Sequence, residues 1–85
     1  MNWELRIAKR VRRGLARFPA DDQRRLLAAL EELRENPFGG DIAHLRDQAA
    51  TWRRRVGSYR IFYDVYPEQR LVDVVEVARR TSTTY

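Results

Sequence analysis

The sequence predicts an α+β fold, and three observations predict it. An apolar–polar alternation opens the chain, two helix-periodic stretches follow, and three strand-like stretches joined by turn signals fill the second half. The expected order is β-α-α-β-β-β, a small antiparallel sheet packed against an N-terminal helical hairpin. With 85 residues the chain is expected to be one domain, 1–85. A domain this small has a thin core, so a functional site is expected on an exposed face rather than in a deep cavity.

Trp3-Glu4-Leu5-Arg6-Ile7 alternates as a half-buried strand does. Val11 and Leu15 then recur at helical spacing between Ala8 and Phe18, with Arg10, Arg12, Arg13 and Arg17 turned mostly outward, until Pro19 stops the helix. A second helix is expected from about Ala20 to Glu35, with Asp21 or Asp22 as its N-cap and Leu26, Leu27, Leu30 and Leu33 as its apolar stripe. Asn36-Pro37 ends it, and Gly39-Gly40 marks a loop. Thr51–Val56 reads as a strand, Gly57-Ser58 as a turn, and Tyr59–Tyr66 as a second strand with Tyr59, Ile61, Tyr63 and Val65 on one face. Pro67 to Arg70 turns the chain back. Leu71–Ala78 is nearly all apolar, as a central strand covered on much of both faces would be.

Composition narrows the chemistry. The chain has no cysteine, which removes disulfides, thiol nucleophiles and Cys-based metal sites. One histidine and scattered carboxylates make no metal constellation, so neither metal nor cofactor is expected. No run of about 20 apolar residues could span a membrane, and charges at Glu4 and Arg6 interrupt the place where a signal peptide needs an apolar stretch. The expected location is cytoplasmic. The net charge is +5, and of the 17 basic residues all but Lys9 are arginine. Guanidinium groups grip phosphate in pairs of hydrogen bonds and stack on bases, so a polyanion, nucleic acid first, is the expected partner.

The charge is unevenly distributed. Between Asp47 and Asp64 no carboxylate occurs, and that window holds Arg53, Arg54, Arg55 and Arg60; after Glu76 none occurs, while Arg79 and Arg80 remain. Arg53 and Arg55 share a strand face, and Arg60 lies just past the turn, within cross-strand reach. Like charges this close repel unless an anion uses them. Aromatics are interleaved: Tyr59 and Tyr63 are expected in the core, Trp52 as a packing anchor, and Tyr85 has no obvious core role in its polar tail.

Trp52-Arg53-Arg54-Arg55-Val56-Gly57-Ser58-Tyr59-Arg60-Ile61-Phe62-Tyr63 resembles the W-R-x-R-V-G-x-Y-R-(I/V)-x-Y signature of RelE/ParE toxins. Val72 to Val77, followed by Arg79-Arg80 and Tyr85, resembles that family's last strand and basic, tyrosine-ended tail. The resemblance implies the toxin of a type II toxin–antitoxin pair. In its RelE branch it implies a metal-independent endonuclease that cuts mRNA in the ribosomal A site, the 2′-hydroxyl attacking the adjacent phosphate and the 5′-oxygen leaving. Carried onto this chain, Arg60 would hold the scissile phosphate. Arg80, or Arg79 by a one-residue slip, would stabilise charge on the phosphate or leaving oxygen, and Tyr85 would orient or stack on the substrate. Arg53 and Arg55 fall where some members carry functional lysines. The implied partners are mRNA on the ribosome and an acidic, partly disordered antitoxin.

The chain departs from the family at the general base. Arginine, with a pKa above about 12, cannot take a proton from a 2′-hydroxyl as a lysine of depressed pKa can. Tyr85 is a possible substitute, and His44, the only histidine, precedes the matched stretch. Asp64 and Glu76 read as partners of nearby arginines. Two other functions stand beside the nuclease: a ParE-type inhibitor of DNA gyrase that cuts no RNA, and a non-catalytic basic binding module.

Overall fold

The computed structural model describes residues 2–46 and 50–79. Its elements are β1 (Glu4–Ile7), α1 (Lys9–Leu15), α2 (Ala20–Glu35), β2 (Ile42–His44), β3 (Trp52–Val56), β4 (Tyr59–Tyr66), a 3₁₀ turn (Pro67–Gln69) and β5 (Leu71–Arg79). The strands form one sheet in the order β1-β5-β4-β3-β2. The α+β class is as expected, with two differences. The sheet has one strand more, and it is mixed: β1 runs parallel to β5, while every other neighbouring pair is antiparallel.

Both differences have physical reasons. β2 is three residues long, with Ile42 its only β-branched residue, too short for an alternation to register. Its strand character comes from β3, which pairs Ile42, Ala43 and His44 with Arg54, Arg53 and Trp52. The orientation of β1 follows from the two-helix connection, which returns the chain across the sheet instead of turning it tightly. Leu5 then lies beside Val72 and Ile7 beside Val74, which makes β5 central, as its apolar run requires.

The core lies between the helices and one face of the sheet. Leu26, Ala29, Leu30 and Leu33 of α2 and Val11 and Leu15 of α1 pack over Tyr59, Ile61, Tyr63, Val72 and Val74. Leu27 is not part of the stripe; it is 53% exposed, because one residue turns the helix about 100° off the buried line. Pro19, not an aspartate, caps α2, and Asp21 and Asp22 sit in its first turn, where their charge suits the positive helix end. Asp22 there accepts a hydrogen bond of 2.7 Å from the Tyr59 hydroxyl.

A β-bulge shapes β5. Phe62 pairs with Glu76 but Tyr63 pairs with Val74, so Val75 is the extra residue. The bulge resets the alternation, which lets Val72, Val74 and Val77 all meet core residues of β4 or its neighbours. It also presents the Val75 carbonyl at the sheet edge, where the Arg10 guanidinium donates to it at 2.6 Å.

Candidate nucleic-acid interface

The sheet face away from the helices carries the candidate site, and strand register builds it. β3 and β4 are joined by Gly57-Ser58, with Gly57 at φ 57°, the left-handed backbone that a turn of type II′ places at its first position. This tight turn fixes Arg55 directly opposite Arg60 and Arg53 opposite Phe62. Since side chains alternate along a strand, Arg53, Arg55, Arg60 and Phe62 all stand on the open face. The row through Arg60 continues on β5 to the small Ala78. In the other direction the Arg55 N–H donates to the Asp41 carbonyl at 2.9 Å, so Asp41 extends the row beyond β2.

Two like charges directly opposite one another destabilise a sheet unless a counter-charge intervenes. Arg55 has a weak one, the Asp41 carboxylate, with Oδ2 3.7 Å from Nε. Among the described residues, Arg53 and Arg60 form no ion pair, and the Nε of each is buried without a hydrogen-bond partner. A phosphate oxygen is an acceptor that suits guanidinium groups without an ion pair in both charge and geometry.

The other arginines of the basic window lie elsewhere. Arg54 projects to the helix side, where it pairs with Glu32 of α2 and its side chain is only 12% exposed. Arg79 lies opposite Tyr59, also on the helix side, with its guanidinium 5.8 Å from the ring centroid. The structure therefore brings Arg53, Arg55 and Arg60 together and sets Arg79 apart from them. Arg80 and Tyr85 lie outside the described residues. His44 faces the helix side opposite Trp52, 4.9 Å from it ring to ring, and does not join the arginines.

The open face has two electrostatic ends. Toward the other end stand Asp64, Asp73 and Glu76, each already engaged. Asp64 accepts the Thr51 N–H at 2.7 Å, Asp73 pairs with Arg6 at 3.5 Å, and Glu76 pairs with Arg10 at 2.6 Å. The basic end is thus separated from an acidic end whose carboxylates already have partners. Among the described residues no three His, Asp or Glu side chains gather as a metal site requires, and no helix is long and apolar enough to cross a membrane.

The helix face fixes this arrangement from behind. The Tyr63 hydroxyl donates to the Pro37 carbonyl at 2.7 Å, and burial pushes its phenol up to about 12 although Arg54 pulls the other way. Burial also raises the Tyr59 phenol, helped by its hydrogen bond to Asp22 and by that carboxylate's charge, while Arg79 opposes the rise. Both tyrosines are therefore neutral anchors that hold β4, and with it Arg60, at a set height above α2.

A family model for the ParE toxin of type II toxin–antitoxin systems, parDE, matches residues 5–83. A protein of Methanocaldococcus jannaschii, provisionally named toxin RelE1, is 28% identical over 83 residues, covering 94% of this chain and 92% of its own. Among solved structures, the archaeal RelE–RelB complex from Pyrococcus horikoshii superposes with a TM-score of 0.84 at 24% identity, covering 98% of this chain and 100% of the other. RelBE2 from Mycobacterium tuberculosis gives 0.82 at 24% identity over 94% and 100%. The isolated E. coli RelE toxin gives 0.79 at 20% identity over 95% and 87%.

Proposed function

Because the chain belongs to the ParE toxin family of type II toxin–antitoxin systems, within the RelE/ParE superfamily, we propose that it acts as the toxin of such a pair by cutting mRNA in the ribosomal A site. The observation that carries this reading is the cross-strand pair Arg55–Arg60 with Arg53 beside it, on an open face where Arg53 and Arg60 form no ion pair among the described residues.

The chemistry follows from that geometry. Adjacent strands are about 4.8 Å apart, so guanidinium groups from β3 and β4 can donate to different oxygens of one phosphodiester. The ribose 2′-oxygen attacks phosphorus, the bond to the 5′-oxygen breaks, and a 2′,3′-cyclic phosphate and a 5′-hydroxyl result. Negative charge builds on the equatorial oxygens, where fixed positive donors contribute most. Arg60 would hold the scissile phosphate and Arg53 and Arg55 its flanks. Arg80, with Arg79 as its one-residue alternative, and Tyr85 keep the roles that the family resemblance implies. Phe62, between Arg53 and Glu76 in its row, offers a ring on which a base can stack. The face is open rather than a cleft, so it cannot itself hold RNA in line for attack; the ribosome would present the strand.

The cognate partner in this reading is an antitoxin. The solved complexes of P. horikoshii and M. tuberculosis pair RelE toxins with RelB antitoxins. An acidic, partly disordered segment would neutralise the arginine row here and order on binding.

A second reading has one observation in its favour. The family model that matches is that of ParE, and gyrase inhibition needs no general base. One experiment separates the two. Inducible expression with mapping of mRNA 5′ ends should give new ends within translated codons that vanish when translation is blocked. Inhibition of supercoiling by purified gyrase, with no such ends, would establish the second reading instead.

A further inference from the structure

The proposed cleavage needs a group that takes the proton from the attacking 2′-hydroxyl, and no arginine can do so. The carboxylates on the open face can be compared one by one. Glu76 receives Arg10 at 2.6 Å, Asp73 receives Arg6, and Asp64 accepts the Thr51 N–H, so each is committed to holding the fold. His44 faces the other side. Asp41 differs in three respects. It stands in the same cross-strand row as Arg55 and Arg60, its backbone carbonyl accepting the Arg55 N–H. Its carboxylate is 3.7 Å from Arg55 Nε, beyond hydrogen-bond distance, and among the described residues no hydrogen bond occupies its lone pairs. Its side chain is 61% exposed, and its neighbour along the open face is the small Ala43, opposite Arg53, which leaves room for a ribose.

We infer that Asp41 is the general base of the cleavage, an inference that rests on the nuclease reading. The row Asp41–Arg55–Arg60 then divides the labour across three neighbouring strand positions. Arg60 holds the phosphate, Arg55 lies between phosphate and carboxylate, and Asp41 meets the 2′-hydroxyl at the outer end. As the 2′-oxygen forms its bond to phosphorus, its proton passes to the Asp41 carboxylate; the bond from phosphorus to the 5′-oxygen breaks, and that oxygen takes a proton from water. Asp41 returns its proton to solvent, so nothing is consumed but the RNA bond. A base of this kind is an intrinsically weak one and relies on position, which the backbone bond to Arg55 supplies.

The test uses the full chain on translating ribosomes programmed with a defined mRNA. Asp41→Asn keeps the backbone and the side-chain shape and removes only the basic oxygen. It should lower the single-turnover cutting rate by about 10²–10⁴ while leaving ribosome binding and thermal stability as in the parent. Asp41→Glu, which keeps the carboxylate, should restore part of the rate that Asp41→Asn loses. Asp41→Asn cutting at the parental rate, or losing rate only in step with ribosome binding or stability, overturns the assignment of Asp41 alone. A parent chain that cuts no mRNA overturns the nuclease reading and the base with it.

Discussion

Three consecutive arginines on β3 are placed in two environments. Arg54 points to the helix side, pairs with Glu32 and is nearly covered. Arg53 and Arg55 point to the open face; Arg55 there pairs loosely with Asp41 at 3.7 Å, and Arg53 has no ion pair among the described residues. The residue type is the same and the positions are adjacent, so strand alternation alone decides which guanidinium serves the fold and which remains for a ligand. The same division runs through β4, where Tyr59, Ile61 and Tyr63 are buried while Arg60 and Phe62 face outward. Substitutions on the two faces should therefore separate, one set changing activity at constant stability and the other changing stability first.

The largest effect is expected on the open face. Arg60→Ala removes a donor at the centre of the arginine row and should lower mRNA cutting by about 10²–10³. Arg60 faces another cation, so its removal relieves repulsion with Arg55, and the melting temperature should hold or rise. Cleavage measured beside a thermal melt checks both. A fall in activity accompanied by an equal loss of stability would show that the two faces are not separable.

How much of this was legible in the sequence follows the same line. Alternation placed Arg53 with Arg55 and buried Tyr59, Ile61 and Tyr63, because a period of two needs no knowledge of partners. Alternation also puts Arg54 on the opposite face, a distinction that the charge count of the basic window, having no direction, does not carry. The face that Arg79 takes is not legible in the sequence: the bulge at Val75 shifts parity late in β5, after which Arg79 lies opposite Tyr59 on the helix side. β2 escaped because three residues cannot show a period, and with it went the row position of Asp41. The signal for Asp41 was present but weak, an acidic residue directly after Gly39-Gly40 and before Ile42. Only the pairing of β2 with β3 turns that loop aspartate into a neighbour of Arg55.

On the helix face the sharper probe is Tyr63. Its hydroxyl is buried and spends its proton on the Pro37 carbonyl, so Tyr63→Phe leaves that acceptor without a partner, at a cost of about 1–3 kcal/mol. The substitution also changes the response to alkali. The folded-state pKa of Tyr63 is raised, to about 12 from an ordinary 10.0, so its contribution is fully present below pH 10 and is lost as pH rises toward 12. The parent should lose stability across that window, and Tyr63→Phe should lose less, keeping only the slope that the raised Tyr59 phenol contributes. Denaturant melts at intervals from pH 9 to 12 would reveal this; identical slopes in the two proteins would mean that Tyr63 already titrates freely.

The smallest effect is expected at Arg54, and it bears most directly on the contrast between the faces. Its partner Glu32 is 62% exposed, so the ion pair itself is worth at most about 1 kcal/mol. Its Nε is buried without a partner, which offsets part of that gain. Its guanidinium also packs over Gly40, where the backbone has φ 83° and an added Cβ would come within 2.9 Å of Arg54 Cζ. Arg54→Ala should therefore cost about 1 kcal/mol in a denaturant melt, most of it lost packing of the side-chain stem. Cutting should stay near the parental rate, since the Arg53, Arg55 and Arg60 side chains stand on the other side of the sheet. Should Arg54→Ala instead abolish cutting in a stably folded protein, strand alternation would not be what divides the arginines into structural and functional sets.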